Sequence, residues 1–227
     1  MMPINSVYLV SLRHHFLKHK GTIIAFIIIC FVGLISLTWF RGNYLISGID
    51  FSMPFDRIKS FTTNFYTWDP QSIGFANPRT IASTFPVYVY FAFSEVIGLS
   101  LVNAEKILFY GIITISGFSM YYLTTILLKT KNSNSKTLAG LISSLFYMLN
   151  PYVALNILPL PQVSYIIYAV LPFFLGFFIK CLNEKRTVQS AIVFALITLL
   201  ATSAFADPSF VPLVFLPLLM YLMFFML

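Results

Sequence analysis

The sequence predicts an all-α fold: a polytopic transmembrane helical protein of about six crossings, with a long first outer loop containing an interfacial helix. Three observations predict it. Hydrophobic residues make up 59% of the 227 residues and charged residues 9%, against about 25% charged in an ordinary soluble domain. The mean hydropathy is +0.87, so the chain has too little polar surface to cover itself in water. Finally, Lys and Arg stand at the ends of apolar runs, as expected of a chain whose basic loops stay on the cytoplasmic side.

Residues 1–20 form a basic cytoplasmic N-terminus with Arg13, His14, His15, Lys18, His19 and Lys20. The three histidines lack an acidic or Cys partner nearby and read as a solvated juxtamembrane helix. Residues 21–227 form the transmembrane domain. Gly21–Phe40 is the first crossing, too long for the apolar core of a signal peptide and ending in Thr38, Trp39, Phe40 and Arg41 without a small-residue cleavage site. Residues 41–103 are the first extracytoplasmic loop, polar and aromatic through Thr80 and punctuated by Pro54, Pro70, Gly74 and Pro78. Within it, Ile81–Val102 is apolar but carries Pro86 and Glu95, and counting it as a crossing would put Lys129, Lys131 and Lys136 outside. It is therefore read as an interfacial or re-entrant helix with Phe85, Tyr88, Tyr90, Phe91 and Phe93 at headgroup level; a seventh crossing is the alternative.

The second crossing is Ala104–Leu128, followed by a cytoplasmic turn over Lys129–Lys136, and the third is Leu138–Tyr152. Pro151, Pro159 and Pro161 break the helical pattern into a second outer loop. The fourth crossing, Gln162–Ile179, reaches Lys180, Glu184, Lys185 and Arg186; the fifth runs from Val188 to Phe205. Asp207 and Pro208 then sit outside, with Asp207 capping the last run, Phe210–Leu227. That run lacks a flanking charge, which suggests that the chain is one piece of a longer protein. In this topology nine of the fourteen Lys and Arg lie inside, and six of the seven acids, all but Glu184, lie outside.

The net charge of +7 is distributed by topology rather than clustered on a soluble face, so no nucleic-acid partner is expected. Cys30 and Cys181 are far apart, without metal-ligand spacing. No Walker loop, dinucleotide fingerprint, His-Glu-x-x-His helix or Ser-centred elbow occurs.

Chemistry is therefore sought in the first outer loop. Asp50, within Ser47-Gly48-Ile49-Asp50-Phe51, and Asp56, within Met53-Pro54-Phe55-Asp56, have small and apolar neighbours. Shielding by such neighbours raises a carboxylate's pKa and suits a general base; two solvated loop acids is the plain alternative. Arg57 and Arg79 are candidate phosphate grips, with Arg41 and Lys59 in the same loop. Charge balance for Asp50, Asp56 and Asp69 is their simpler role. Trp68 could stack on a sugar ring, while Trp68-Asp69-Pro70 and Asn77-Pro78-Arg79 read as loop punctuation with an Asx-type turn before each proline. No crossing is expected to bury a charge.

One N-terminal crossing, an outer loop with an acid near its start (Gly48-Ile49-Asp50), then Trp68-Asp69-Pro70, Phe85-Pro86 and Tyr147-Met148-Leu149-Asn150-Pro151-Tyr152 form a pattern covering most of the chain. This pattern resembles the GT-C class of membrane glycosyltransferases, especially the arabinofuranosyltransferase-like and YfhO-like proteins. The resemblance implies a cell-envelope enzyme of the plasma membrane transferring a sugar from a polyprenyl-phosphate-linked donor on the extracytoplasmic face. It also implies Asp50 as base, Asp56 in reserve, Arg57 or Arg79 steadying the leaving phosphate, membrane lipid and the lipid-linked donor as partners, and a divalent cation as the cofactor to consider. A different class remains open, a non-catalytic scaffold or subunit of a larger membrane complex, to which Gly111, Ser116 and Gly117 would offer close-packing surfaces for other membrane subunits. A transporter built on helices broken near Pro151 and Pro159 is the third reading.

Overall fold

A computed structural model describes residues 20–46, 53–66, 68–69, 75–76, 78–151, 153, 164–183, 187–200, 202 and 211–226. Helix α1 covers residues 20–33 and tightens into a 3-10 helix over Leu34–Trp39. The change of pitch coincides with Ser36 and Thr38, whose hydroxyls donate to the carbonyls of Gly33 (2.8 Å) and Ile35 (2.7 Å). The other helices are α2 (Arg57–Asn64), α3 (Pro78–Val96), α4 (Leu101–Leu127), α5 (Ser133–Leu149), α6 (Ser164–Asn183), α7 (Thr187–Leu200) and α8 (Val211–Met226). Apart from a two-residue antiparallel ladder, β1 (Trp68–Asp69) with β2 (Phe75–Ala76), the described elements are helical.

Among the described residues, three helices are long and apolar enough to cross a membrane: Lys20–Trp39, Leu101–Leu127 and Ile166–Asn183. Val188–Leu199 and Val211–Met226 are shorter apolar helices. Large apolar side chains point outward along them, including Ile27, Phe31, Leu196, Met223 and Phe224. A surface of this kind suits hydrocarbon rather than water.

Helix α4 is the central post. Its 27 residues rise about 40 Å, and α5 and α6 lie along it while the 3-10 end of α1 joins it near its start. Small residues bring these helices close. A side chain at Gly33 would collide with Thr114 Oγ1, and one at Gly117 with Met148 Sδ and, at 2.8 Å, Ile29 Cγ2. A Cβ at Gly140 would sit 2.9 Å from the Tyr121 ring and one at Gly176 3.0 Å from Tyr122. Ser116 is fully buried. Ser116 and Gly117, expected as surfaces for partner subunits, are thus consumed by the chain's own bundle, whereas Gly111 faces open space.

One buried cluster joins α1, α4 and α5 through Ala25, Ile29, Phe109, Ile113, Tyr121 and Met148. A second joins α6, α7 and α8 through Ile167, Val170, Phe174, Ile197, Val214 and Leu218. The end of α6 is tied to α8 by Asn183 Nδ2, which donates to Tyr221 Oη (3.1 Å).

Helices α5 and α6 are further tied by a reciprocal clasp. The Tyr147 and Tyr168 rings stack 4.2 Å apart at 3°. Tyr147 Oη donates to the Tyr168 carbonyl (2.9 Å), and Tyr168 Oη to the Tyr147 carbonyl (2.6 Å). The reason is written in the sequence. Pro172 stands four residues after Tyr168 and Pro151 four after Tyr147, and neither has an N–H to give the carbonyl one turn back. Each tyrosine supplies the donor that the other helix's proline lacks, and Asn150 Nδ2 adds bonds to the Tyr147 carbonyl (2.9 Å) and Tyr168 Oη (2.7 Å).

Several expected boundaries move. The helix expected over Ile81–Val102 stops earlier, and Leu101 and Val102 already belong to α4. Helix α3 ends at Val96 in a left-handed turn at Gly98 (φ +77°), with Leu99 N bonded to Ser94 O and Gly98 N to Glu95 O, the bond pair of a Schellman ending. Ser100 then caps α4 through Asn103 N (3.3 Å). The polar turn expected over Lys129–Lys136 is shorter, because Asn132 caps α5 by accepting from the N–H groups of Asn134 and Ser135. Helix α5 therefore begins at Ser133 rather than Leu138. The histidine cluster, Glu184 to Arg186, Asp207, Pro159 and Pro161 lie outside the described residues.

Candidate functional site

The outer loop is built on the start of α4. The chain leaves α1 at Phe40, whose ring meets Phe109 at 5.7 Å, and runs on to Ile46, whose N–H lies 3.1 Å from both oxygens of Glu105. The next residue of α4, Lys106, places Nζ 3.2 Å from the Gly42 carbonyl and 5.8 Å from the centre of the Phe40 ring. Gly42 reaches this position with φ +64°, a conformation that glycine adopts without steric cost. Met53 returns to the same place, in a buried cluster with Val87, Phe91 and Ala104. The chain therefore departs from and rejoins one end of the bundle.

Glu105 corrects the expectation that no crossing buries a charge: its exposure is 0%. Its position at the head of an apolar run let it pass as a flanking charge, whereas the neighbouring loop covers it.

Asp56 and Arg57 open α2. Asp56 is exposed and caps the helix by accepting from Lys59 N at 3.0 Å. The apolar shielding expected of it is absent, because a cap faces the water at a helix start. Arg57 is largely buried, and its ion-pair partner among the described residues is Glu95. Its backbone N and Nε each lie 3.1 Å from Glu95 Oε2, and Nη1 donates to Ser94 Oγ (2.9 Å) and the Leu99 carbonyl (2.8 Å). The guanidinium thus staples α2 to the turn between α3 and α4, using the fork geometry that distinguishes Arg from Lys.

Trp68 sits in β1, paired with Ala76, so Trp68–Asp69 is a strand rather than loop punctuation. Its exposed indole lines an open cavity of about 350 Å³ with Thr62, Thr63 and Tyr66. Thr62 Oγ1 donates to the Lys59 carbonyl (2.9 Å), which leaves its lone pairs available as acceptors. The cavity thus joins Trp68 to Thr62, Thr63 and Tyr66, none of which the motif pattern marked, because their alignment depends on the turn of α2 into β1. Arg79 lies in the first turn of α3. Asp50 and the Asx turns before Pro70 and Pro78 lie outside the described residues, although Ile46 and Met53 on either side of Asp50 are held as above.

Tyr90 adds a second tie between α3 and α4, donating to the Ala104 carbonyl at 2.7 Å. Burial pushes its phenol above the ordinary tyrosine value. Among the described residues no three His, Cys, Asp or Glu side chains cluster as metal ligands, and no disulfide joins Cys30 and Cys181.

No family model, curated protein or solved structure matches the chain. The functional reading therefore rests on its own residues. These comprise a loop tied to α4 by Glu105 and Lys106, an Arg57–Glu95 staple and an aromatic cavity beside α2.

Proposed function

We propose that the chain is an integral plasma-membrane protein with its N-terminus in the cytoplasm and six crossings, α3 lying on the outer face. We further propose that it transfers a sugar from a polyprenyl-phosphate-linked donor to an acceptor on that face. The observation carrying both is the loop that leaves the bundle at Phe40 and returns to the same end, at Glu105 and Ala104. An excursion that starts and ends on one side makes no net crossing. With α1 entering from the cytoplasm, the loop is external and the short basic turns before α5 and α7 are internal.

In this reading Asp50 removes the acceptor hydroxyl proton as the lipid phosphate leaves from the sugar carbon, Arg79 offers positive charge to that phosphate, and Trp68 supports the ring. Arg57, committed to Glu95, serves by holding α2. Asp56, committed to its helix cap, is a poor reserve base. A divalent cation, if used, would join the donor phosphate.

These structural duties of Asp56 and Arg57 also favour the second reading, a non-catalytic scaffold or subunit whose outer loop is a docking surface. Purified chain, with and without Asp50→Asn, is to be assayed for transfer of radiolabelled sugar from extracted polyprenyl-phosphate donors. Transfer lost in the variant supports the enzyme; transfer retained removes Asp50 from the base role; absence of transfer by the unmodified chain favours the scaffold.

A further inference from the structure

We infer that Glu105 is a positioning residue, which sets the outer loop in register from within α4 and thereby acts on the segment that carries Asp50. The inference rests on the reading of Asp50 as the base.

A carboxylate taken out of water is costly unless donors surround it, yet Glu105 is fully buried. Both of its oxygens converge on a single N–H, that of Ile46, at 3.1 Å. An ionised carboxylate offers about four acceptor positions, and among the described residues no second donor reaches this one. Bundle packing does not explain the acid, since an apolar side chain at 105 would extend the apolar run of α4. What the acid adds is its hold on the loop backbone.

The neighbouring residues strengthen that hold. Lys106 takes the Gly42 carbonyl at 3.2 Å, so successive side chains of α4 grip an acceptor and a donor four residues apart on the loop. On the far side of Asp50, Met53 is buried in the cluster that contains Ala104. The consecutive residues Ala104, Glu105 and Lys106 therefore secure both flanks of the segment. Changing Glu105 removes the tie at Ile46, on the near flank, without touching a reacting atom.

The test uses the full chain in lipid nanodiscs, with Glu105→Leu, Glu105→Gln and Met53→Ala, read by hydrogen exchange and by sugar-transfer kinetics. Glu105→Leu is expected to speed exchange of the peptide containing Ile46 about tenfold, leaving α4 and α5 peptides unchanged, and Glu105→Gln, which keeps an acceptor oxygen, to stay within about twofold of the unmodified chain. In transfer, Glu105→Leu should lower kcat about tenfold with KM for the donor nearly constant, and Gln should restore it. Unchanged exchange at Ile46 in the leucine variant overturns the anchor, as does an equal rise in every helix. Faster exchange with unaltered kcat overturns the link to Asp50. Where the leucine variant fails to assemble, Met53→Ala loosens the opposite flank, and a kcat loss there decides the same question. If the unmodified chain transfers no sugar, the sugar-transfer reading fails and with it the link to Asp50, while the exchange measurements still decide the anchor.

Discussion

Replacing Tyr147 by Phe removes one hydroxyl and leaves the stacked ring in place. The hydroxyl stands in for the N–H that Pro172 lacks, at the Tyr168 carbonyl. An interhelical hydrogen bond inside a membrane protein averages about 0.6 kcal/mol and reaches about 1.7, so a loss of about 1 kcal/mol is expected for this part-buried bond. Tyr168→Phe should cost less at the Tyr147 carbonyl, which keeps the Asn150 amide at 2.9 Å. The decisive variant is Pro172→Ala, which restores a backbone N–H four residues after Tyr168. In the Pro172→Ala background, Tyr147→Phe should cost nearly nothing, a coupling of about 1 kcal/mol in a double-mutant cycle. The assay is reversible unfolding in mixed micelles followed by circular dichroism. Equal cost of Tyr147→Phe with proline or alanine at 172 would refute the substitute-donor account.

Three further outcomes follow from the geometry. Arg57→Lys should destabilise the outer loop nearly as much as Arg57→Ala, by about 2 kcal/mol, since an ammonium cannot span Glu95, Ser94 and Leu99 together; limited proteolysis between residues 41 and 100 reads this out, and a lysine variant as resistant as the parent contradicts it. Gly117→Val should lower stability by about 2–3 kcal/mol, because its side chain overlaps Met148 and Ile29, whereas Gly111→Val should be close to neutral, as measured by the same unfolding assay. The raised folded-state pKa of Tyr90 means that its stabilising contribution is intact below the unfolded value near 10 and is lost as pH climbs through the folded one. Ultraviolet titration of the chain against Tyr90→Phe should locate one phenol ionising later than the free side chain.

Much of the helical architecture was legible because apolar length is a one-dimensional signal: Gly21–Phe40 and Ala104–Leu128 lie within a few residues of the helices observed. The break between α3 and α4 was expected a few residues late, because the apolar run continues through it, although Gly98 followed by Ser100 carries a stop and a start. Asn132 is a similar start signal, masked by the lysines around it. The Tyr147 and Tyr168 clasp was readable in principle, since both tyrosines precede a proline by four residues. The ion-pair partner of Arg57 was hidden for a different reason. Which acid an arginine meets depends on how two distant helices approach, and Glu95 lies 38 residues away. Glu105 was missed likewise, because its burial comes from the chain leaving α1 rather than from its sequence neighbours.

The small-residue joints of α1 also bear on how the chain is made. Its partners at Thr114, Gly117 and Met148 are translated long after α1 itself, so the first helix must wait in lipid without them. It is equipped to do so, with mean hydropathy 2.5 and the least internal burial of the three long helices; α4, with 1.4 and the most burial, is the one that could least stand alone. The least apolar of the three long helices thus follows the most apolar one in the chain, and packs against it.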